Sequence, residues 1–337
     1  MVSVLDRAQR ILESREKILS PYELDDSLCL YSPQDNVEAL DHPRIRDWMN
    51  YVLERYQPEI SRAKERVLLL LPCTRTKPYP LSLEHLSINQ ALLGAGFRPT
   101  QPADPSRDPV GDPGPEFSID VTNLSPLANS LGAVIHRAVV SEPLAFVPYE
   151  NILIYEGKKS PATAYDDPGL FENRGNAVSP WRKDFSGIAI SRTRWAWGDA
   201  ERRAYVVMHN EMARILAAVL ARLSAYFTKR IAWVAPGLTH RSFIIGREER
   251  AAHNVARGKR VGKETLPLTG ANDLLPSSER VRALPTVAQC EDARRRLAER
   301  VGVDVRRVGG LYSRGGGGAT PLALPELLET LVQAARS

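Results

Sequence analysis

Three cysteines in 337 residues, Cys29, Cys73 and Cys290, are too few, too scattered and odd in number for a disulfide framework or a cysteine-rich zinc site. What they leave open is a free thiol. No run of ~18 apolar residues occurs, so no membrane-spanning helix is predicted. The opening stretch MVSVLDRAQRILESREK is charged and helical in spacing, without the apolar centre of a signal peptide, and points to a cytoplasmic protein. No internal repeat is visible. No H-E-x2-H or comparable ligand spacing occurs, so neither a catalytic metal nor a cofactor is expected. Charge of one sign is also scarce. The 45 Lys and Arg exceed the 40 Asp and Glu by only +5, which permits a nucleic-acid partner without demanding one.

What is present is a chain with 43% apolar residues, long enough for one large or two ordinary domains. Residues 1–66 carry helical apolar spacing and form a helical N-terminal layer. RVLLLLP is too short for a helix and is closed by Pro72, so it reads as a strand buried on both faces. A helix is predicted from about Ser82 to Leu93. A loop insertion rich in Pro, Asp and Gly follows near 99–126. GAVIHRAVVS, ILIYE, RIAWVAP and SFIIG read as further strands. The clearest helix opens at Asp199 as N-cap, with Met208, Met212, Ile215, Val219 and Leu223 along one face and His209 beside them. The prediction is an α/β fold, a mostly parallel sheet sandwiched by helices, with its core at 67–246. Residues 247–337 add a basic loop and helices packed on that core.

In parallel α/β sheets, ligands bind beyond the carboxyl ends of the strands. PCTRTKPYPLSLEH occupies such a position. Cys73 stands at the strand tip, Lys77 and Tyr79 lie in the loop, and Ser82 and His85 share one face at the start of the next helix. A thiolate is a strong nucleophile toward an electrophilic carbon, and a nearby cation or helix N-terminus favours it. Lys77 could supply that cation or move a proton, and His85 titrates nearest neutrality. Ser82 and Tyr79 can donate to a developing anion. The plainer reading makes Cys73 a small buried apolar residue, Ser82 an N-cap and His85 part of a helix surface; only the clustering argues for chemistry.

The same stretch resembles the P-C-x3-K-P-Y-x2-S-x2-H motif of the archaeosine synthase core-domain family, at seven positions with fixed gaps. HPRIRDWMNYVLERYQP is similar to the helix preceding that motif. SEPLAFVPYE resembles the family's S-P-L-G-V-V-P-x-E segment, with Ala145 and Phe146 in place of Gly-Val, and Tyr165 and Asp166 stand where it has a Tyr-Asp. The resemblance covers about residues 42–166. It implies action on the nitrile of 7-cyano-7-deazaguanine in a nucleic acid. By position it puts Pro72, Cys73, Lys77, Pro78, Tyr79, Ser82 and His85 in the site, with Glu150 a weaker match, and does not fix the role of each; the chemistry of the side chains assigns Cys73, Lys77 and His85 as catalytic and Pro72, Arg75, Tyr79, Ser82, Glu150 and Asp166 as substrate-binding. The chain has no room for a transglycosylase barrel, no appended RNA-binding module and no C-x3-C-x2-C radical cluster motif. Its Ala- and Arg-rich composition makes it most like the DpdC-type proteins of bacterial 7-deazaguanine DNA modification. The implied reaction is hydration of the nitrile in DNA to the 7-amido base, by Cys73 thiolate or activated water, with His85 or Lys77 protonating the nitrogen. The implied partners are DNA carrying 7-cyano-7-deazaguanine and a transglycosylase-like insertion enzyme.

RTRWAWGDAERR, REERAAHNVARGKR and DVRRVGGLYSRGGGG place Arg and Lys, among them Arg192, Arg194, Arg257, Lys259 and Arg260, beside aromatic residues and glycines, as phosphate contact and base stacking require. Trp195 and Trp197 are available as wedges for base flipping. Solvated surface is the ordinary alternative for each run. SRGGGGAT could cradle a phosphate but lacks a P-loop lysine, and reads as a loop. Three other functions remain open: addition of an amine or ammonia to the nitrile in tRNA, giving an amidine; a non-catalytic DNA-binding partner of a transglycosylase; and a base-excising glycosylase.

Overall fold

The leucine run closed by Pro72 lies at the centre of the molecule. In the computed structural model, which describes residues 6–59, 62–315 and 320–336, it forms strand β1 (Glu65–Pro72), buried from Val67 onward. The remaining strands of the main sheet are β2 (Arg98–Pro99), β3 (Leu127–Ala128), β4 (Ala133–Ser141), β5 (Ala145–Pro148), β6 (Lys229–Trp233) and β7 (Arg282–Leu284). Their order is β7-β6-β1-β4-β3-β2, with β5 also on β4. The pairs β7–β6, β6–β1 and β1–β4 are parallel, while β5, β3 and β2 add antiparallel pairs at one side. A parallel centre explains why β1 and β4 read as continuous apolar or buried runs, for both faces are covered.

The covering helices are α1 (Arg7–Arg15), α2 (Pro33–Ala39), α3 (Pro43–Asn50), α4 (Leu83–Gly94), α5 (Asp199–Arg222), α6 (Thr239–Ile244), α7 (Val287–Val301) and α8 (Pro325–Arg336). Helix α4 packs with α8, which also packs with α7, whereas α5 packs with α2 and α6. The mixed α/β architecture expected from the sequence is the one observed, including the helical N-terminal part. The chain leaves β1 for β4 on one side and returns to β6 on the other. Connections after β1 and β6 therefore diverge at their carboxyl ends, the position at which open parallel sheets bind ligands.

Three local expectations differ from the structure. SFIIG is largely the buried helix α6, because a short apolar run has no periodicity to separate strand from helix. ILIYE contributes only Ile154–Tyr155, paired with Lys158–Lys159 in a ribbon apart from the sheet. Asp199 is the first helical residue of α5, and the cap before it is Gly198, whose amide donates to Glu201 Oε2 at 2.9 Å. Residues 316–319 of the glycine-rich stretch lie outside the described residues. Among the described residues, no helix is long and apolar enough to cross a membrane.

Candidate active site

Strand register brings three distant residues to one edge. β1 and β4 pair from Glu65↔Ala133 to Pro72↔Val140, and Cys73 N extends the ladder by donating to Val140 O at 3.1 Å. Cys73 therefore lies level with the end of β4, where Glu142 follows Ser141. On the other side of β1, the turn after β6 leads into α6 and delivers His240. Cys73 Sγ and His240 Nε2 share a hydrogen bond at 3.2 Å, and Glu142 Oε2 stands 3.1 Å from the same nitrogen. Glu142 and His240 are buried while Cys73 is half-buried, so the sulfur is the accessible member of the three.

Burial alone would lower the His240 pKa, yet Glu142 and Cys73 raise it well above that of free imidazole. It is therefore an imidazolium at neutral pH. Burial alone would raise Glu142, but His240, and Lys77 more weakly, hold it below the usual carboxylate range. Asp167 is pushed the other way, to about 7, by burial and by the negative charge of Glu142. Its Oδ1 accepts from Gly169 N at 2.7 Å, and Oδ2 has no hydrogen-bond partner among the described residues.

Lys77 is buried beside this group. Its Nζ donates to Thr74 O at 2.7 Å and lies 4.7 Å from the Tyr165 ring centre and 5.3 Å from that of Tyr79. The two phenol hydroxyls meet at 2.8 Å, and both also bond Ser141 Oγ. The loop thus holds one ammonium against aromatic faces behind the thiol.

No family model, curated protein or solved structure matches the chain.

Of the residues singled out in the sequence, Cys73 and Lys77 reach this edge together, and Tyr79 lines it from within the core. His85 does not face it. Its Nε2 donates to Pro72 O at 3.0 Å and its Nδ1 accepts from Tyr149 OH at 2.7 Å, so both ring nitrogens are occupied in packing α4 on the sheet. Burial pushes its pKa down to about 4, leaving it neutral. Ser82 is the α4 N-cap, accepting from His85 N at 3.3 Å, and Pro72 contributes the carbonyl that His85 uses. Arg75 is exposed in the loop.

Glu150 lies away from the thiol, because β5 runs back from Ser141↔Ala145 to Ala138↔Pro148. There it accepts from Tyr56 OH at 2.7 Å and lines a cavity of about 320 Å³ with Tyr51 and Arg107. Asp166 anchors the N-terminal layer: its Oδ2 accepts from Ser14 Oγ at 2.6 Å and from Lys17 Nζ. The neighbouring Asp167 is the one in electrostatic contact with the site.

Sequence reasoning missed His240, Glu142 and Asp167. Glu142 lies inside a segment already singled out, and Asp167 is one residue from a named position. Nothing in GLTHRSF marks His240 beyond its place after a strand.

The basic and aromatic candidates are spread over another region. Arg192 and Arg194 are exposed on the loop of the 188–189 and 195–196 ribbon, and Arg257 and Arg260 are exposed on or beside the 258–267 ribbon. Lys259 is engaged within the protein, 2.6 Å from Glu172 and 5.3 Å from the Trp197 ring centre. Trp197 is walled into the core, its Nε1 donating to Ala177 O at 2.8 Å, so it has no freedom to act as a wedge. Trp195 is half-buried, edge-on to Phe185 at 5.2 Å.

Proposed function

We propose that the chain adds water to the nitrile of 7-cyano-7-deazaguanine in DNA, giving the 7-amido base, with Cys73 as nucleophile. The observation that carries this reading is the half-buried sulfur 3.2 Å from an imidazole that a buried carboxylate keeps charged. A thiolate beside an imidazolium is the arrangement for attack on an electron-poor carbon. The nitrile as that carbon comes from the motif resemblance around Cys73.

The steps balance with His240 as the proton carrier. Cys73 Sγ, its proton held on His240, forms a bond to the nitrile carbon as one C–N π bond breaks, and His240 protonates the nitrogen to give a thioimide. Neutral His240 then takes a proton from water as the oxygen bonds to the same carbon, and returns it to the nitrogen, forming the amine of a tetrahedral intermediate. The C–S bond breaks, the hydroxyl proton passes to His240, and the amide leaves with thiolate and imidazolium restored. Glu142 lies against the same Nε2 that faces the sulfur, and its role here is to keep the imidazole charged. Lys77 holds positive charge behind the thiol rather than transferring the proton, and His85 supports α4.

The experiment is to incubate the protein with DNA or tRNA bearing the cyano base, digest to nucleosides and weigh the products. An amide from DNA supports the proposal. An amidine would favour amine addition, and unchanged nitrile with tight DNA binding would favour the non-catalytic partner role. Intact-mass trapping of a thioimide, absent in Cys73→Ala, tests the covalent step. A reducing cytoplasm suits a free thiol in this role, and a transglycosylase-like enzyme is the proposed source of the cyano base.

A further inference from the structure

We infer that Cys73, Glu142 and His240 also form a binding site for one thiophilic divalent cation of the Zn2+ class, whose binding masks the nucleophile. The donors are a sulfur, an imidazole nitrogen and a carboxylate oxygen, and the three atoms lie within 4.8 Å of one another. In a tetrahedral Zn2+ complex, bond lengths of about 2.0–2.3 Å put neighbouring donors roughly 3.4–3.6 Å apart. The present separations of 3.2 Å for Sγ–Nε2 and 3.1 Å for Nε2–Oε2 need to open by only a few tenths of an ångström, and the third, Sγ to the carboxylate oxygen, lies within 4.8 Å and closes by side-chain rotation. Cys73 and Glu142 follow the carboxyl ends of the paired strands β1 and β4, and His240 is the second residue of α6, so strand register sets two donors and the start of that helix sets the third.

A second observation points to a ligand independently of that spacing. Glu142 is 1% exposed, and beyond His240 Nε2 at 3.1 Å and the weaker field of Lys77 its carboxylate has no close side-chain partner among the described residues. A buried carboxylate so poorly satisfied is unusual, and a cation at the three donors would satisfy it. The donor set selects the metal class. Thiolate with imidazole suits Zn2+ or Co2+ and disfavours Mg2+ and Ca2+, which take oxygen ligands. Three protein ligands leave a fourth position for water. On binding, Sγ coordinates as thiolate and His240 releases its Nε2 proton to solvent. The sulfur lone pairs are then engaged, and attack on carbon stops.

The masking consequence rests on the reading of Cys73 as nucleophile, but the test does not use a nitrile. Metal-free protein is titrated with Co2+ and followed by sulfur-to-cobalt charge-transfer absorption, then back-titrated with Zn2+. One Co2+ per chain is expected. Cys73→Ser should abolish the charge-transfer band, and His240→Gln and Glu142→Gln should each weaken binding by roughly tenfold or more. Cys29→Ser and Cys290→Ser should leave binding unchanged. Iodoacetamide labelling of Cys73, read by peptide mass, should slow at least about tenfold in saturating Zn2+. A urea melt of each variant separates misfolding from lost binding, with Glu142→Asp as a charge-retaining second variant. The inference is overturned if the band survives in Cys73→Ser, if folded His240 and Glu142 variants bind as the parent does, or if Cys73 is labelled at the metal-free rate under Zn2+. Metal binding without nitrile turnover would sink the proposed reaction and leave this site standing.

Discussion

At the scale of single residues, two histidines exchange the roles that chain proximity suggests. His85 lies close to Cys73 in sequence yet has both nitrogens committed to Pro72 and Tyr149, while His240 comes from 167 residues away to meet the sulfur. Their substitutions should therefore separate in turnover per folded molecule. His240→Gln is expected to lower kcat per folded molecule by about 10²–10⁴ and, because it strips the buried Glu142 of its ion pair, to lower the urea midpoint as well. His85→Ala removes the donor to Pro72 O and one partner of the buried Tyr149 hydroxyl and is expected to cost about 2–4 kcal/mol of stability. Its turnover per folded molecule should stay within a few-fold of the parent. Equilibrium unfolding together with product formation per alkylatable Cys73 checks both. Equal loss of turnover in the two variants would contradict the assignment of roles.

At the scale of elements, α4 was legible from its N-cap and from the glycine that ends it, and Ser82 does cap it. What α4 also carries is a buried acid. Glu84 is buried against the segment around Thr320, whose hydroxyl it accepts, and burial raises its pKa to about 7. The native state therefore keeps this proton after the unfolded chain has lost it near pH 4.5, and the cost grows from there to about pH 7. Glu84→Gln should stabilise the protein by up to about 3 kcal/mol at pH 8 and by almost nothing at pH 4. Paired urea titrations at the two pH values measure this. In the turn between β4 and β5, Ala145 sits at φ 57°, in the left-handed region that glycine prefers.

For the whole molecule, groups of opposite sense largely cancel. His85 and His136, with pKa values pushed down to about 4 by burial, and His209, to about 3, release protons on folding. Between pH 4.5 and 6.5 each makes stability rise with pH. Glu84 and Asp167, both raised to about 7 by burial, make it fall over the same window. The two sets oppose each other, with His253, also lowered by burial, adding to the first and Glu150, also raised by burial, to the second. A gentle acid slope is therefore expected for the parent protein. A steeper one is expected for Glu84→Gln, which removes one of the raised acids. Denaturation free energies at pH 5 and 6.5 decide this, and equal slopes would show that the two sets of groups do not oppose each other as argued.

The sequence alone determined the fold class, because alternating aliphatic runs and amphipathic segments leave an α/β sandwich as the way to bury both faces of a strand such as β1. It also determined that Cys73 and Lys77 share a strand end, since they are four positions apart and need no long-range pairing to meet. Only the tertiary structure decided that Glu142 and His240 join them. Strand order and register bring those residues together. Buried parallel strands carry similar aliphatic patterns on every surface, so no local signal states which neighbours which. For the same reason the sequence could not tell that His85 and Trp197 turn inward, because the direction of a side chain depends on what the rest of the chain packs against it.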